Sequence, residues 1–234
     1  ARVLLVEMGD RVLGAFSGPL PAKAARALEE LGVTLMLEHT VVDVHRDGVE
    51  LRGQAGEGSQ VSARTVIWAA GVMASPLARM LGEATGAEVD GAGRVAVEPD
   101  LSLPGHPEVM ALGDMVRVRD PRDHQAHVLP GLAPVAMQQG RYAGRAMAAR
   151  VDAPARAPFH YRDKGALATI GRARAVAELS VLRFSGFPAW AVWLVVHIFY
   201  LIGFENRVVV MLRWAYAYFT RGRGNRLITG AAGE

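Results

Sequence analysis

The stretch RVLLVEMGDRVLGAFSGPLPAKAARALEELGVTLMLE (2–38) decides the fold class. Its opening residues, RVLLVE (2–7), carry a continuous apolar run that is typical of a buried strand. PAKAARALEELG (21–32) has apolar residues at helical spacing and ends at a glycine, and VTLMLE (33–38) predicts the next strand. A strand, a helix and a strand in this order predict a parallel, doubly wound α/β unit.

The residues that follow continue this alternation of elements. TVVDVHRDGVELRG (40–53) predicts a hairpin that turns at Asp47-Gly48, and TVIWAAGV (65–72) predicts another buried strand. Residues 93–114 predict two short strands on either side of a turn rich in proline and glycine. The remaining expectations are a loop over 115–130, a helix over 133–150, a linker at 153–159 and strands within 159–180.

Composition narrows the classes of protein that the chain can represent. At 234 residues and 51% hydrophobic content, it can bury one large core or two small ones. It has no cysteine, which excludes disulfide reductases, thiol-dependent peroxide reductases and sulfide:quinone oxidoreductases, because each needs a reactive thiol. The seven histidines are scattered, so no metal site is predicted. Residues 172–234 hold eight Lys/Arg against three Asp/Glu, which favours an anionic membrane surface over nucleic acid as a partner.

Three sequence blocks carry the main functional signal. Gly113-Asp114 follows an apolar strand signal, APVAMQQG covers 133–140, and DKGALATIGR covers 163–172, ahead of an aromatic, almost uncharged tail. In this order the blocks resemble the C-terminal half of a type II NADH dehydrogenase, a single-chain flavoenzyme that passes electrons from NADH to membrane quinone. The resemblance implies a two-dinucleotide-binding-domain (Rossmann-like) flavoprotein fold, FAD as cofactor, NADH as substrate and no proton pumping.

The resemblance also implies a place for the chain within a longer enzyme. GAGRVA (91–96) fits a glycine fingerprint but precedes its strand, so it predicts a turn and not a phosphate loop. The genuine phosphate loops are expected upstream of Ala1, and without them the chain is expected to bind FAD weakly. Residues 1–90 are assigned to the end of the NADH-binding domain, 91–180 to the end of the FAD-binding domain, and 181–234 to membrane-anchoring helices.

Three residues are predicted to bind NADH. Glu7 ends the first strand, where a Rossmann unit places a carboxylate that accepts hydrogen bonds from the adenosine ribose hydroxyls. The same acid would repel the 2′-phosphate of NADPH. Ala70-Gly71 ends the stretch TVIWAAG, and a glycine there lets the backbone approach the nicotinamide and the flavin. The alternatives are a solvated glutamate at a strand end and an ordinary turn glycine.

Two of the sequence blocks each contain a charged residue that is predicted to contact the flavin. The resemblance implies that Asp114, directly after Gly113, binds a ribityl hydroxyl of FAD; the alternative is a turn or helix cap. It also implies that Lys164 lies near a carbonyl oxygen of flavin or quinone, where an ammonium stabilises the charge that develops on reduction. A surface lysine paired with Asp163 is the alternative reading.

The block APVAMQQG resembles the quinone-site signature of the family, A-Q-x-A-x-Q. Ala133, Ala136 and Gln138 match the pattern, whereas Pro134 replaces its first glutamine; proline suits the first turn of a helix. The resemblance implies that Ala133, Val135 and Ala136 pack a helix N-terminus against the flavin. It leaves Gln138 as the main candidate for a quinone contact, and a neutral surface glutamine is the alternative.

The tail predicts contact with a membrane. FPAWAVWLVVHIFYLIGF (187–204) contains no Lys, Arg, Asp or Glu, and VVVMLRWAYAYFT (208–220) follows it. Eighteen residues reach the lower limit for a spanning helix, but Arg213 is costly at mid-bilayer. Monotopic helices in the interface, with Arg221, Arg223 and Arg226 on lipid headgroups, fit better than a spanning hairpin or a soluble homodimer interface.

The expected function is therefore transfer of electrons from NADH through FAD to quinone on the cytoplasmic face of the inner membrane. Two alternatives remain open. A soluble ferredoxin- or rubredoxin-type reductase shares Glu7, Gly71 and Gly113-Asp114 but has no use for the aromatic tail. The second alternative is that the chain is a non-catalytic, membrane-associated fragment or an interaction module.

Overall fold

The computed structural model describes residues 2–120, 122, 125–150, 152, 155–201 and 203–220. The chain forms two compact units. The first unit contains the described residues of 1–66 and 164–234, and the second unit contains those of 67–163. The predicted boundaries at 90 and 180 divide the chain by the cofactor that each segment serves, and they stay a prediction.

The first unit begins with the predicted strand-helix-strand motif. Strand β1 (Val3–Val6) pairs in parallel with β2 (Val33–Met36), and helix α1 (Leu20–Glu30) connects them. Gly32 follows the helix with a φ of 83°, a left-handed conformation that glycine adopts without strain and that turns the chain into β2. The predicted parallel motif is confirmed.

An antiparallel meander follows β2. Strands β3 (His39–His45) and β4 (Gly48–Gly53) form the predicted hairpin, and a third strand, β5 (Gly58–Ser62), pairs with β4. The sequence did not indicate β5 because GSQVS is polar and lacks the alternation of a half-buried strand. Gly48 is required where β4 meets β5, since a Cβ there would lie 2.1 Å from the carbonyl oxygen of Val61.

A second antiparallel sheet completes the first unit. Its strands are β11 (Ala166–Gly171), β12 (Arg174–Leu179) and β13 (Leu182–Ser185). Because side chains alternate along a strand, Val176 packs in the cluster that contains Leu20 of α1. Its neighbours Ala175 and Ala177 pack instead with Ala189 of helix α4 (Phe187–Tyr200). The sheet is thus covered by helices on both faces.

The second unit contains two small sheets and two helices. Strands β6 (Val95–Val97), β9 (Val116–Arg119) and β10 (Ala126–His127) form one sheet, with β9 in the middle and parallel to β6. Strands β7 (Ser102–Leu103) and β8 (His106–Met110) form a hairpin, so residues 93–114 contain three strands, including β6, where two around a turn were predicted. The helices are α2 (Pro76–Thr85), which the sequence did not indicate, and α3 (Ala133–Ala148).

Two predictions in this region are wrong. Residues 115–130 are not a plain loop, because β9 and β10 lie within them; alternating arginine and valine in VRVR gave a strand signal that the surrounding polar residues obscured. Residues 65–72 form no strand in the described structure. There, Ile67 is 78% exposed and Trp68 61% exposed. A buried strand needs hydrogen-bonded neighbours, and neither parallel pair of the described chain, β1 with β2 or β6 with β9, includes these residues.

The apolar tail forms two helices that differ in length from the predicted eighteen-residue run. Helix α4 ends at Tyr200, because Leu201 adopts an extended conformation, and α5 spans Phe204–Thr220. Among the described residues, neither these helices nor any other combines the length and apolarity that crossing a bilayer requires. Arg221, Arg223 and Arg226, predicted to contact headgroups, lie outside the described residues.

Candidate functional site

The second unit contains a groove around the turn that links β8 to β9. We call it the Gly113 groove. Its walls come from residues 72–74, 113–116 and 128–131, together with Arg94 and the first part of α3. The lining residues are Val72, Met73, Ala74, Arg94, Gly113, Asp114, Val116, Val128, Leu129, Pro130, Gly131, Val135 and Gln139. The groove therefore contains three of the residues predicted from the sequence, Gly113, Asp114 and Val135.

Gly113 gives the turn its shape. Its φ of 84° lies in the left-handed region that favours glycine, and its carbonyl oxygen accepts a hydrogen bond from the N–H of Val116, 3.3 Å away, at the start of β9. A Cβ on Gly113 would lie 3.9 Å from the Cβ of Ala136 in α3. The turn and the first part of α3 are therefore close neighbours, as the predicted roles of Gly113 and Ala136 require.

Asp114 follows this turn and is exposed. Within the described part of the chain, its carboxylate has no hydrogen-bond or ion-pair partner, although it lies in the wall of the groove. An acid that stabilises a turn or a helix end normally accepts a backbone N–H. The geometry thus favours the ligand-binding reading of Asp114 over the capping alternative.

Arg94 supplies the positive charge in the groove wall, but Asp90 already engages it. The guanidinium Nε lies 2.8 Å from Asp90 Oδ2. Burial acts to raise the pKa of Asp90, but hydrogen bonds from Arg94 and from the backbone N–H of Ala92 outweigh burial and lower that pKa. The same carboxylate accepts from the backbone in the 91–94 segment, so GAGRVA forms a turn, as predicted, and not the start of a helix.

Helix α3 presents its N-terminus at the groove. Leu132 precedes the helix and provides no side-chain cap, and Pro134 lies in the first turn, where proline costs no hydrogen bond. Val135 is buried and Ala133 is exposed. Pro134, which stands where the family signature has its first glutamine, therefore leaves the helix intact.

Gln139 is a groove residue that the sequence analysis missed. Its side chain is fully buried, and its Oε1 accepts a hydrogen bond from the backbone N–H of Gly113 at 2.6 Å. Its Nε2 is buried and has no hydrogen-bond partner in the described structure. The signal that could have identified it is the second glutamine of APVAMQQG, which stands four residues after the buried Val135 and hence on the same helix face.

Gln138, the predicted quinone contact, is bonded to the backbone of Arg162. Its Nε2 donates to the Arg162 carbonyl and its Oε1 accepts from the Arg162 N–H, both at 3.0 Å. This pair of bonds joins α3 to the residue that precedes the block DKGALATIGR. Gln138 is half-buried, and both polar atoms of its amide have a backbone partner.

Lys164 is the first residue of the second segment of the first unit, which comprises residues 164–234. Its Nζ donates a hydrogen bond to Tyr200 Oη at 2.9 Å and lies 5.6 Å from the centre of that ring. The ammonium is exposed, so contact with the last residue of α4 orients it without burying it. The structure thus connects Lys164 to the aromatic tail.

The residues predicted to bind NADH belong to both units. In the first, Glu7 Oε1 accepts from the backbone N–H of Gly9 at 2.9 Å, a local turn contact that leaves its second oxygen available. In the second, Ala70 and Gly71 are exposed, Gly71 has a φ of 91°, and open space surrounds the position of a Cβ. Gly71 directly precedes Val72 in the groove wall.

No group of potential metal ligands is present among the described residues. His197, which the sequence places in an apolar run, is exposed on α4. Its Nδ1 lies 2.8 Å from the carbonyl oxygen of Trp193, a contact within the helix. The histidine therefore has a partner within its own helix.

Comparisons with known proteins place these features in context. The family described as pyridine nucleotide-disulphide oxidoreductase matches residues 1–140, and the NDH2 C-terminal domain matches residues 164–223. The chain is 39% identical over 232 residues to the type II NADH:quinone oxidoreductase Ndh of Mycobacterium tuberculosis, covering 98% of this chain and 48% of that protein. It is 40% identical over 233 residues to NdhA of the same organism, covering 97% of this chain and 48% of the relative.

A solved structure shows the same fold. NDH2 from Plasmodium falciparum, in complex with NADH, superposes with a TM-score of 0.81 at 16% identity, covering 92% of this chain and 57% of that one. The predicted α/β fold class and the resemblance to the C-terminal part of a type II NADH dehydrogenase are thereby confirmed. The chain spans about half the length of the curated relatives that it matches.

Proposed function

Because this chain belongs to the pyridine nucleotide-disulphide oxidoreductase family, we propose that it forms the flavin- and quinone-facing part of an enzyme that transfers electrons from NADH through FAD to quinone. The observation that carries this proposal is the Gly113 groove. In it lie together a carboxylate that has no partner among the described residues, a left-handed glycine and a helix N-terminus without a side-chain cap. Relatives named type II NADH:quinone oxidoreductases support the choice of electron acceptor.

The groove fits part of FAD. The Asp114 carboxylate can accept a hydrogen bond from a ribityl hydroxyl, and the absence of a Cβ at Gly113 leaves room beside it. The backbone N–H groups at the start of α3 and its positive dipole end favour negative charge nearby. When bound, FAD would supply the redox chemistry, taking a hydride from NADH and passing two electrons to quinone, which takes up two protons to become quinol.

Two further residues serve the quinone half of the reaction. Lys164 stabilises negative charge on a flavin or quinone oxygen, and Tyr200 Oη fixes the position of its ammonium. Gln138 holds the Arg162 backbone through two hydrogen bonds. The Gln138 amide keeps a second N–H and a second acceptor lone pair, through which it can also contact quinone.

The NADH half of the reaction uses residues near the start of the chain and before α2. Glu7 accepts hydrogen bonds from the adenosine ribose through its second carboxylate oxygen, while its first holds the Gly9 N–H. Ala70 and Gly71 allow the nicotinamide to approach the backbone, since neither has a side chain beyond Cβ and the space at the Cβ position of Gly71 is open.

The tail attaches the protein to a lipid bilayer as a monotopic anchor. α4 buries Ala189 against the sheet of the first unit, while Phe199 of α4 is 66% exposed and Phe219 of α5 is 82% exposed. Aromatic residues of this kind suit the headgroup level of a membrane. The cytoplasmic face of the inner membrane is the proposed location, and a homodimer interface is the competing use of the same surface.

One experiment tests the proposal as a whole. The protein expressed from its native gene is purified, its flavin content is measured, and NADH is added without oxygen. NADH should bleach the flavin absorbance, and a short-chain quinone should restore it. Restoration by ferredoxin or rubredoxin but not by quinone would favour the soluble-reductase alternative, and a protein without flavin under all conditions would contradict the proposal.

A further inference from the structure

Gln139 of α3 has a fully buried side chain, and only one of its two polar atoms has a hydrogen-bond partner in the described structure. Its Oε1 accepts the N–H of Gly113 at 2.6 Å, whereas its Nε2 is buried without a hydrogen-bond partner in the described structure. Burying an amide donor without an acceptor is costly, so native structures pair such groups with protein, water or ligand. The residue lies in the wall of the Gly113 groove, next to Asp114.

The orientation of this amide is fixed by its partner. The backbone N–H of Gly113 can only donate, so the oxygen of Gln139 must face it. Rotation of the amide by 180° would place two donors against each other. The unpaired group is therefore the NH₂, and the acceptor that it needs must come from outside the described contacts.

We propose that Gln139 is a positioning residue for the flavin cofactor. Its Oε1 holds the Gly113 turn and so sets the direction of the Asp114 carboxylate, and its Nε2 donates a hydrogen bond to an oxygen of the ribityl-phosphate chain of FAD. This inference rests on the proposed function, because it takes FAD to be the ligand of the groove. It assigns to one side chain both the support of the turn and a contact with the ligand.

Two substitutions separate these roles. Gln139→Glu keeps an oxygen that accepts the Gly113 N–H but removes the amide donor, whereas Gln139→Leu removes both groups at similar size. Ala143→Gly is the matched control, since Ala143 is buried in the same helix but is not part of the groove wall. A glycine inside a helix weakens the fold without altering a polar contact.

The measurement is the dissociation constant for FAD, determined by flavin fluorescence on apoprotein made from the native gene. Gln139→Leu should raise it roughly tenfold or more, as expected for a lost hydrogen bond and a misdirected Asp114. Gln139→Glu should bind FAD more weakly as the pH rises, because a protonated carboxyl can donate to FAD and an ionised one cannot. Ala143→Gly should lower the melting temperature and leave the dissociation constant near that of the wild type.

Hydrogen exchange at the Gly113 amide tests the support of the turn without FAD. Exchange should be faster in Gln139→Leu than in the wild type and close to the wild-type rate in Gln139→Glu at low pH. The inference is overturned if Asp114→Ala weakens FAD binding while both Gln139 variants bind as the wild type does. It is also overturned if Gln139→Glu shows no change at any pH. A wild-type protein that binds no FAD would instead overturn the proposed function and this inference with it.

Discussion

At the scale of single residues, Asp114 offers the most direct test of the flavin site. Its carboxylate is exposed and has no partner in the described structure, so the fold does not depend on it. Asp114→Ala should raise the dissociation constant for FAD by roughly ten- to a hundredfold, the loss expected when a charged acceptor is removed. Glu83→Ala, which removes another exposed carboxylate of the second unit, serves as the control. Equal flavin content in both variants would contradict the assignment.

Lys164 should affect one half-reaction and not the other. Lys164→Met should slow oxidation of the reduced enzyme by quinone on the order of a hundredfold, since a preorganised positive charge near the reacting oxygens is lost. Reduction by NADH, followed by stopped-flow spectroscopy, should stay near the wild-type rate. Tyr200→Phe keeps the ring and removes only the hydroxyl that orients the ammonium, so it should give a smaller loss in the same step. Equal losses in both half-reactions would point to flavin binding or folding instead.

The sequence predicted which residues lie at the groove better than it predicted the orientation of side chains. Gly113 and Asp114 could be singled out because a glycine and an acid directly follow a strand signal, as the family resemblance implies, and both line the groove. The adjacent glutamines of α3 could not be distinguished, since consecutive helical residues point about 100° apart. Only the position of the Gly113 turn shows that Gln139 faces the groove and that Gln138 binds Arg162.

At the scale of elements, a hydrogen-bonded carboxylate links β12 to the residues that precede α1. Glu178 accepts from the hydroxyl and the backbone N–H of Ser17 and from Arg183. The hydroxyl of Ser17 and the Arg183 guanidinium lower the pKa of Glu178 to about 2 from its ordinary 4.5. A depressed pKa means that this contribution to stability is complete above about pH 4.5 and is lost as the pH falls toward 2.

Ser17→Ala should therefore destabilise the first unit in a pH-dependent way. The difference in unfolding free energy between wild type and variant should be constant near neutral pH and should shrink as Glu178 becomes protonated in acid. Denaturant unfolding at a series of pH values measures it. Ser62→Ala, at an exposed position of β5, should show no such dependence. A difference that persists unchanged into acid would mean that the Ser17 hydroxyl acts independently of Glu178.

Elements were predictable where apolar periodicity was strong. β1, α1 and β2 could be read from one stretch because each has a clear apolar pattern and the helix ends at a turn signal, Gly32. β5 escaped because its side chains are polar, and 65–72 was misassigned because an apolar run does not reveal whether partner strands exist to receive it. Strand pairing is a property of the whole fold, which a local pattern does not contain.

At the scale of the whole molecule, the tail has a packing role in addition to the membrane role that its sequence predicted. The run 187–204 predicted a membrane element, but α4 also closes the core of the first unit through Ala189 and Trp190. Trp193 of α4 stacks on Trp214 of α5 at 5.5 Å, so the helices support each other. Deleting the entire tail would expose this core, and a test of membrane attachment must instead change exposed side chains alone.

The membrane prediction is best tested with the triple substitution Phe199→Ser, Leu212→Ser and Phe219→Ser. These side chains are 66%, 61% and 82% exposed, so the fold should tolerate their loss. Each contributes roughly 1.5–3 kcal/mol when buried in an apolar phase, so membrane partitioning should weaken by about a thousandfold or more.

Sedimentation with anionic vesicles measures this change. A control that replaces the exposed Met147, Val181 and Leu182 by serine should still bind vesicles, because these residues lie outside α4 and α5. High salt should not release the wild type, since screening weakens only the electrostatic part of the attachment. Complete release of the wild type by salt would mean that basic residues hold the protein on the membrane. A triple variant that stays bound but changes from dimer to monomer would assign the aromatic surface to contact between two copies of the chain.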